Sequence, residues 1–222
     1  MNILAFDCST LGCSAAVVAD GSVRACQSLN AGRTQAEALV PLLAAVAGAA
    51  GIAWTEIGLV AVTVGPGRFT GLRIGLAAAR ALALALGIPV AGVTTHEAVA
   101  AAISQAERAG RRLVVAIDGG RADLFVQEFG DGAAAAGPIE ALMPEAAAGR
   151  LADGKGEILL AGDGASRLLP FLPRARLSAA PVFPDPVALA RAAAARFAEG
   201  AALAPTPLYV HPPDTTAAER GA

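Results

Sequence analysis

Residues 59–86 read as a buried strand, a Gly-Pro-Gly turn and a long helix, and that helix constrains the chain more than any other stretch. The strand, 59–64, is a short apolar run stopped by Gly65-Pro66, which is how a covered parallel strand ends. Thr70 stands where its hydroxyl caps the first helical turn. At 100° per residue Leu72, Leu76, Ala79, Leu82, Ala83 and Leu86 share one face of helix 70–87. Ile74, Ala77, Ala78, Ala81 and Ala85 make a second apolar face, leaving Arg73 and Arg80 as a narrow polar wedge. A helix apolar nearly all round needs burial on two sides. Its own sheet supplies one side; the other needs more protein, in this chain or another. Periodicity alone leaves a central helix and a subunit interface equally open. Two arginines in mid-run argue against a bilayer span, and the Gly71-to-Gly75 spacing is a weak sign of close helix contact outside lipid.

The charge balance excludes one class of function. Seventeen Lys+Arg stand against nineteen Asp+Glu, for a net charge of −2 and a pI near 5.7. That is not the basic footprint of a protein holding RNA unaided. Cys8, Cys13 and Cys26 are odd in number, bunched in the first strands and without metal-ligand spacing, as expected of small core residues in a reduced, cytoplasmic protein. Met1-Asn2-Ile3 leads straight into a strand, so no signal peptide is expected.

In order, strands are expected at 3–6 and 13–19, with Asp20-Gly21 turning into a third at 22–29. A helix over 34–49 buries Leu39, Val40, Leu42, Leu43, Val46 and Ala47, and Pro41 kinks it or marks its first turn. Strand 59–64, helix 70–87, strand 89–93 and a helix over 97–109 capped by Thr95 complete an α/β lobe over 1–109. The opening pattern then returns. Residues 113–120 mirror residues 3–10, delivering Asp118 as the first copy delivers Asp7, and 122–129 follows as hairpin partner. Residues 131–157 read mostly as loop, 158–161 as a short strand running into Gly162-Asp163-Gly164, and 186–199 as a helix. The expected domains are thus 1–109, a smaller lobe over 110–204, and an extended, partly disordered tail over 205–222.

Two lobes that each open with a strand, an aspartate and a turn of small residues resemble the actin-like, ribonuclease H-like ATPases, in which such turns grip phosphates and the aspartates organise a metal ion. The expected fold is therefore α/β, two lobes of mixed sheets flanked by helices, with the second lobe reduced. The block Gly65-Pro66-Gly67-Arg68-Phe69-Thr70-Gly71-Leu72-Arg73-Ile74-Gly75 is more specific. With Asp7-Cys8-Ser9-Thr10, Thr94-Thr95, Asp118-Gly119-Gly120-Arg121 and Pro207-Leu208-Tyr209-Val210, it is similar to the TsaB (YeaZ) family, small subunits of the bacterial tRNA threonylcarbamoyladenosine machinery.

The resemblance implies a non-catalytic scaffold. It would bind a larger homologue, TsaD, which modifies the adenosine beside the anticodon, together with the ATPase TsaE. It also implies a homodimer through the same helices when TsaD is absent, contact with tRNA only through the complex, and ATP and divalent metal used by the partners rather than by this chain. The implied interface residues are Leu39, Leu43, Val46, Phe69, Leu72, Arg73, Leu76, Ala79, Arg80 and Ala83. Departures from the family pattern are Arg68, usually Ser; Arg33-Thr34-Gln35, where many members carry His; and His211-Pro212-Pro213-Asp214.

Chemistry of the chain's own is thinly furnished. Asp7, Ser9, Thr10, Asp118, Gly119 and Gly162 outline a vestigial nucleotide cleft. The only lysine is Lys155, and no Gly-x-x-x-x-Gly-Lys-Ser/Thr loop exists. His96 and His211 are the only histidines and lack metal-ligand spacing. Ser9 and Ser14 lack a nucleophile elbow, and Cys8 and Cys13 lie among apolar residues where a thiol is inert. The alternative functions are a stand-alone phosphotransferase or ATPase of the actin-like fold, for which the chain is short, and a peptide hydrolase without an evident nucleophile.

Overall fold

The computed structural model describes residues 1–130 and 134–210. They form two five-stranded sheets of identical design. In the first, β1 (Asn2–Asp7) is flanked by antiparallel β2 (Cys13–Ala19) and parallel β4 (Ile57–Thr63), with β3 (Ser22–Leu29) and β5 (Val90–Val93) at the edges. In the second, β6 (Arg111–Ile117) is flanked by antiparallel β7 (Leu124–Phe129) and parallel β9 (Glu157–Ala161), with β8 (Glu140–Leu142) and β10 (Ala175–Leu177) outermost. The duplication suggested by Asp7 and Asp118 therefore extends to every strand. The reduction of the second lobe lies in its helices. α5 (Pro144–Ala152) has 9 residues and α6 (Ala165–Leu168) has 4, against 16 in α1 (Gln35–Ala50) and 18 in α2 (Phe69–Leu86).

α1 and α2 lie side by side on one face of the first sheet, their buried Leu39, Leu42, Leu43, Leu72 and Leu76 packing on Leu4, Phe6 and Val60. The opposite face is covered from elsewhere. α7 (Pro186–Ala198) lays Leu189, Ala190 and Ala193 against Ile3, Ala5, Leu59 and Ala61. Reciprocally, Val99 and Ala100 of α3 (Thr95–Ala101), with Ile103 beyond it, pack on Leu113, Val115 and Ile117 of the second sheet. α3 and α7 also touch one another. Each half is thus closed by the helix that follows the other half's last strand. Residues 186–198, expected in the smaller lobe, pack on the first sheet and complete its core.

Local chemistry accounts for further corrections. The helix expected over 97–109 is two helices. Thr94 caps α3, its hydroxyl accepting from the Glu97 amide at 3.1 Å while the Glu97 carboxylate accepts from the Thr94 amide at 3.1 Å. Ser104 then caps the short α4 (Gln105–Arg108). Residues 131–157 hold β8 and α5, the latter started by Pro144. Pro41 lies within α1 without ending it, and Val40 points outward at 65% exposure instead of joining the buried face. Residues 205–210 of the expected disordered tail are anchored: Leu208 donates to the Val64 carbonyl at 2.7 Å. His211 and the rest of that tail lie outside the described residues.

Candidate protein interface

α2 is set by contact with the turn after β1. The Arg68 amide donates to the Ser9 carbonyl at 2.7 Å. A Cβ on Gly67 would fall 2.2 Å from that carbonyl, and one on Gly71 would fall 2.1 Å from the Cys8 carbonyl, so only glycine lets these backbones approach. This docking decides which face of α2 is covered. Gly71, Leu72, Gly75, Leu76 and Ala79 point inward and are buried. The alanine side points outward, with Ala77, Ala81 and Ala85 exposed and Leu84 87% exposed at its centre.

Of the residues expected at a partner surface, Leu39, Leu43, Val46, Leu72, Leu76 and Ala79 are therefore core residues of this chain. They are the positions that face its own sheet, and a partner cannot reach them. Phe69, Arg73 and Arg80 are exposed and Ala83 is half-buried. The open face instead runs from Val40, Pro41 and Ala44 of α1 across Ala77, Ala81 and Leu84 of α2. Among the described residues α2 is the one helix long and apolar enough to cross a membrane by length and composition. Its leucine stripe packed on a sheet and its two engaged arginines are features of a docked helix.

The polar wedge of α2 is held by residues 205–209. The Arg73 guanidinium lies 3.6 Å over the Phe69 ring, and Phe69 stacks on Tyr209 with centroids 5.8 Å apart. Arg73 Nε donates to the Tyr209 hydroxyl at 3.1 Å, and Arg80 Nε donates to the Pro205 carbonyl at 2.7 Å. Tyr209 is the surface residue that sequence reasoning missed as a site. A lone tyrosine in a proline-rich tail carries no periodicity; only its place beside the Phe69-Arg73 pair reveals it.

The inter-lobe cleft is divided. Asp7 is buried, and its Oδ1 accepts from the Ser9 amide at 2.9 Å and from the hydroxyls of Ser9 and Thr63 at 2.5 Å each. Burial outweighs these bonds and pushes its pKa up. Ser9 and Thr10 are also buried, beneath the Arg68 turn. In this turn the Ser9 amide is already given to Asp7 and the Ser9 carbonyl to the Arg68 amide, so neither is free for a phosphate or metal. Across the gap, Asp118 accepts from the Gly120 amide at 2.7 Å and faces Arg68 and Arg167 at 3.6 Å each. Its own amide donates at 2.9 Å to Asp163, whose carboxyl burial pushes up to about 6. Arg68, Asp118, Gly162 and Asp163 line an open cleft of about 370 Å³. Gly119 lies at its edge in sequence, packed on the Phe125 ring. Among the described residues no group of three or more His, Cys, Asp and Glu is arranged to hold a metal ion. His96 is a core residue: Nε2 meets the Phe125 carbonyl at 3.0 Å, and burial pulls its pKa down to about 4.

Comparison with known proteins places this arrangement. A family model described as TsaD, tRNA N6-adenosine threonylcarbamoyltransferase, matches residues 29–159. The tRNA threonylcarbamoyladenosine biosynthesis protein TsaB of Escherichia coli is 33% identical over 129 residues, 58% of this chain and 55% of that protein. YeaZ from Pseudomonas aeruginosa superposes with a TM-score of 0.79 and 27% identity, covering 94% of this chain and 99% of that one. The chain belongs to the TsaD-type family, in its TsaB/YeaZ branch.

The match spans about half the length of the curated TsaB relatives, 55% of the Escherichia coli protein and 49% of the Haemophilus influenzae one. The activator of 2-hydroxyisocaproyl-CoA dehydratase from Clostridium difficile, at 11% identity and a TM-score of 0.54, shares the two-lobed fold alone. The TsaD-type match contains α1, α2 and the Asp118 turn but stops short of the segment that pins Arg73 and Arg80. In this TsaB-family chain the outward helix face and its C-terminal border thus come from stretches outside one another in sequence.

Proposed function

We propose that this chain acts in tRNA N6-threonylcarbamoyladenosine biosynthesis as a non-catalytic scaffold, holding a TsaD-like catalytic subunit against the outward face of α1 and α2. The observation that carries the reading is Leu84, 87% exposed amid alanines on a helix whose other face is already core. Small side chains let a second helix approach closely, and the exposed leucine supplies apolar area worth about 25 cal/mol per Å² removed from water. A stable interface needs about 800 Å² per partner, which two parallel helices of this length can supply with Phe69, Arg73 and Tyr209 at the border. In the absence of the larger subunit the same face pairs with a second copy of this chain. A TsaE-like ATPase joins the complex, tRNA is met only through it, and ATP and divalent metal belong to the partners. The working location is the cytoplasm. Asp7, buried with its Oδ1 already accepting from Ser9 and Thr63, argues against the alternative of a stand-alone phosphotransferase.

The test is Leu84→Glu, which places a charge on the open face and leaves the core untouched. Co-purification with the TsaD-like subunit should be lost while the circular dichroism spectrum and thermal midpoint stay at wild-type values. Undiminished co-purification would end the proposal. Micromolar ATP binding by the isolated chain, lost in Asp7→Ala, would favour the phosphotransferase.

A further inference from the structure

Two of the three cysteines are neighbours in the core. The β1–β2 register pairs Asp7 with Ser14, so the next residues across the hairpin are Cys8 and Cys13. Their sulfurs stand 3.1 Å apart, both residues buried. A disulfide requires about 2.05 Å between sulfurs and side chains that face one another. Two residues opposite each other at the end of an antiparallel ladder already meet the second condition, and a movement of about 1 Å meets the first. Cys13 is among the residues around a pocket of about 160 Å³ with Asp7, Phe183 and Asp185, while both thiols lie on the α1–α2 side of the sheet. Cys26, on the exposed edge strand β3, has no such neighbour and sits opposite Ala16.

We propose that Cys8 and Cys13 are a redox-modification site, closing to an intramolecular disulfide on exposure to a hydroperoxide and reopening with a thiol reductant. The Cys13 sulfur attacks the terminal peroxide oxygen. The O–O bond breaks and the leaving oxygen departs with a proton, as an alcohol or water, leaving a sulfenic acid on Cys13. The Cys8 sulfur then attacks that sulfur. The S–O bond breaks, and the departing hydroxide takes the Cys8 proton as water. Two thiols lose two electrons and two protons; the hydroperoxide gains them.

The position gives the bond a structural reach. The Cys8 carbonyl accepts from Gln35 Nε2 at 3.2 Å, at the first residue of α1, and lies against Gly71 of α2. A Cβ on Gly75 would be in ordinary contact with the Cys8 Cβ at 3.7 Å. The thiol pair therefore sits where the roots of both helices meet the first strand.

The experiment uses the full chain carrying Cys26→Ser, so that only the pair remains, titrated with hydrogen peroxide. The expected result is loss of both thiols, a mass lower by two hydrogens, a Cys8–Cys13 cross-linked peptide on digestion, and full recovery with dithiothreitol, with no covalent dimer. In the additional single variants Cys8→Ser and Cys13→Ser no intramolecular bridge should form. Two thiols that stay free in the folded chain at a dose consuming them in the denatured chain would overturn the proposal. So would oxygen addition without loss of the two hydrogens.

Discussion

Leu203 and Gly92 exchange both backbone hydrogen bonds, Gly92 donating at 2.8 Å and Leu203 at 3.0 Å. The chain returning from α7 is thereby stitched antiparallel to β5, and an edge that would otherwise be open to other strands is covered. From there it continues over α2, where Pro205 and Tyr209 engage Arg80 and Arg73.

Gly92 is the weak point of that stitch. A Cβ there would fall 2.5 Å from Val64 Cγ1 and 2.6 Å from the Leu203 carbonyl. Gly92→Val should lower stability by about 1–3 kcal/mol, as overpacking does, and should lift the terminal segment. Denaturant unfolding gives the first quantity. Limited proteolysis gives the second, as faster cleavage after residue 200 than in the wild-type chain.

The two faces of α2 should respond to substitution in opposite ways. Leu76 is buried on the core side, so Leu76→Ala should cost about 2–5 kcal/mol in equilibrium unfolding. Leu84→Ala should cost less than about 0.5 kcal/mol, yet raise the dissociation constant for whatever protein covers that face. A pair of urea titrations and one sedimentation series distinguish the two effects.

Asp163 gives the cleft a pH signature. Its folded pKa is raised from 3.8 to about 6, with burial as the first cause. The protonated form is therefore favoured by folding, and that contribution is complete below about pH 4 and lost as pH rises through about 6. Asp163→Asn keeps an oxygen for the Asp118 amide and removes the titration. Its stability relative to wild type should rise by about 2–3 kcal/mol between pH 4 and pH 8. A flat difference across that range would contradict the burial argument.

His96 acts with the opposite sign. Burial holds its pKa at about 4 instead of 6.5, so its contribution is present above about pH 6.5 and is lost as pH falls through 4. His96→Gln, whose side-chain amide can still donate to the Phe125 carbonyl, should show a shallower loss of stability over that interval. Thermal midpoints in matched buffers provide the comparison.

The chain discloses its strands better than its helices, for reasons that lie in particular residues. β1 and β6 are legible because branched apolar runs end at Asp7 and Asp118, and that repetition carries the whole two-lobed design. α5 is hidden because its buried Ala147 and Ala148 differ too little from its exposed alanines to mark a face. The orientation of α2 was open for the same reason, since leucine and alanine are both apolar. The deciding signal is the pair Gly71 and Gly75 beside the leucine stripe, which shows where backbone is approached. Asp7 looks available as a strand-end carboxylate; the Thr63 hydroxyl that engages it comes from 56 residues away. Contacts at that separation leave no local pattern to read.

The exchange of α3 and α7 between the halves has a consequence during synthesis. A nascent chain that has emerged only as far as residue 185 holds the ten described strands but lacks the lid of its first core, whose Ile3, Ala5 and Leu59 wait for Leu189 and Ala190. Neither half is an autonomous unit that can finish early while the ribosome continues. Completion of that core waits for α7, and until then the first-made strands are those most in need of shelter.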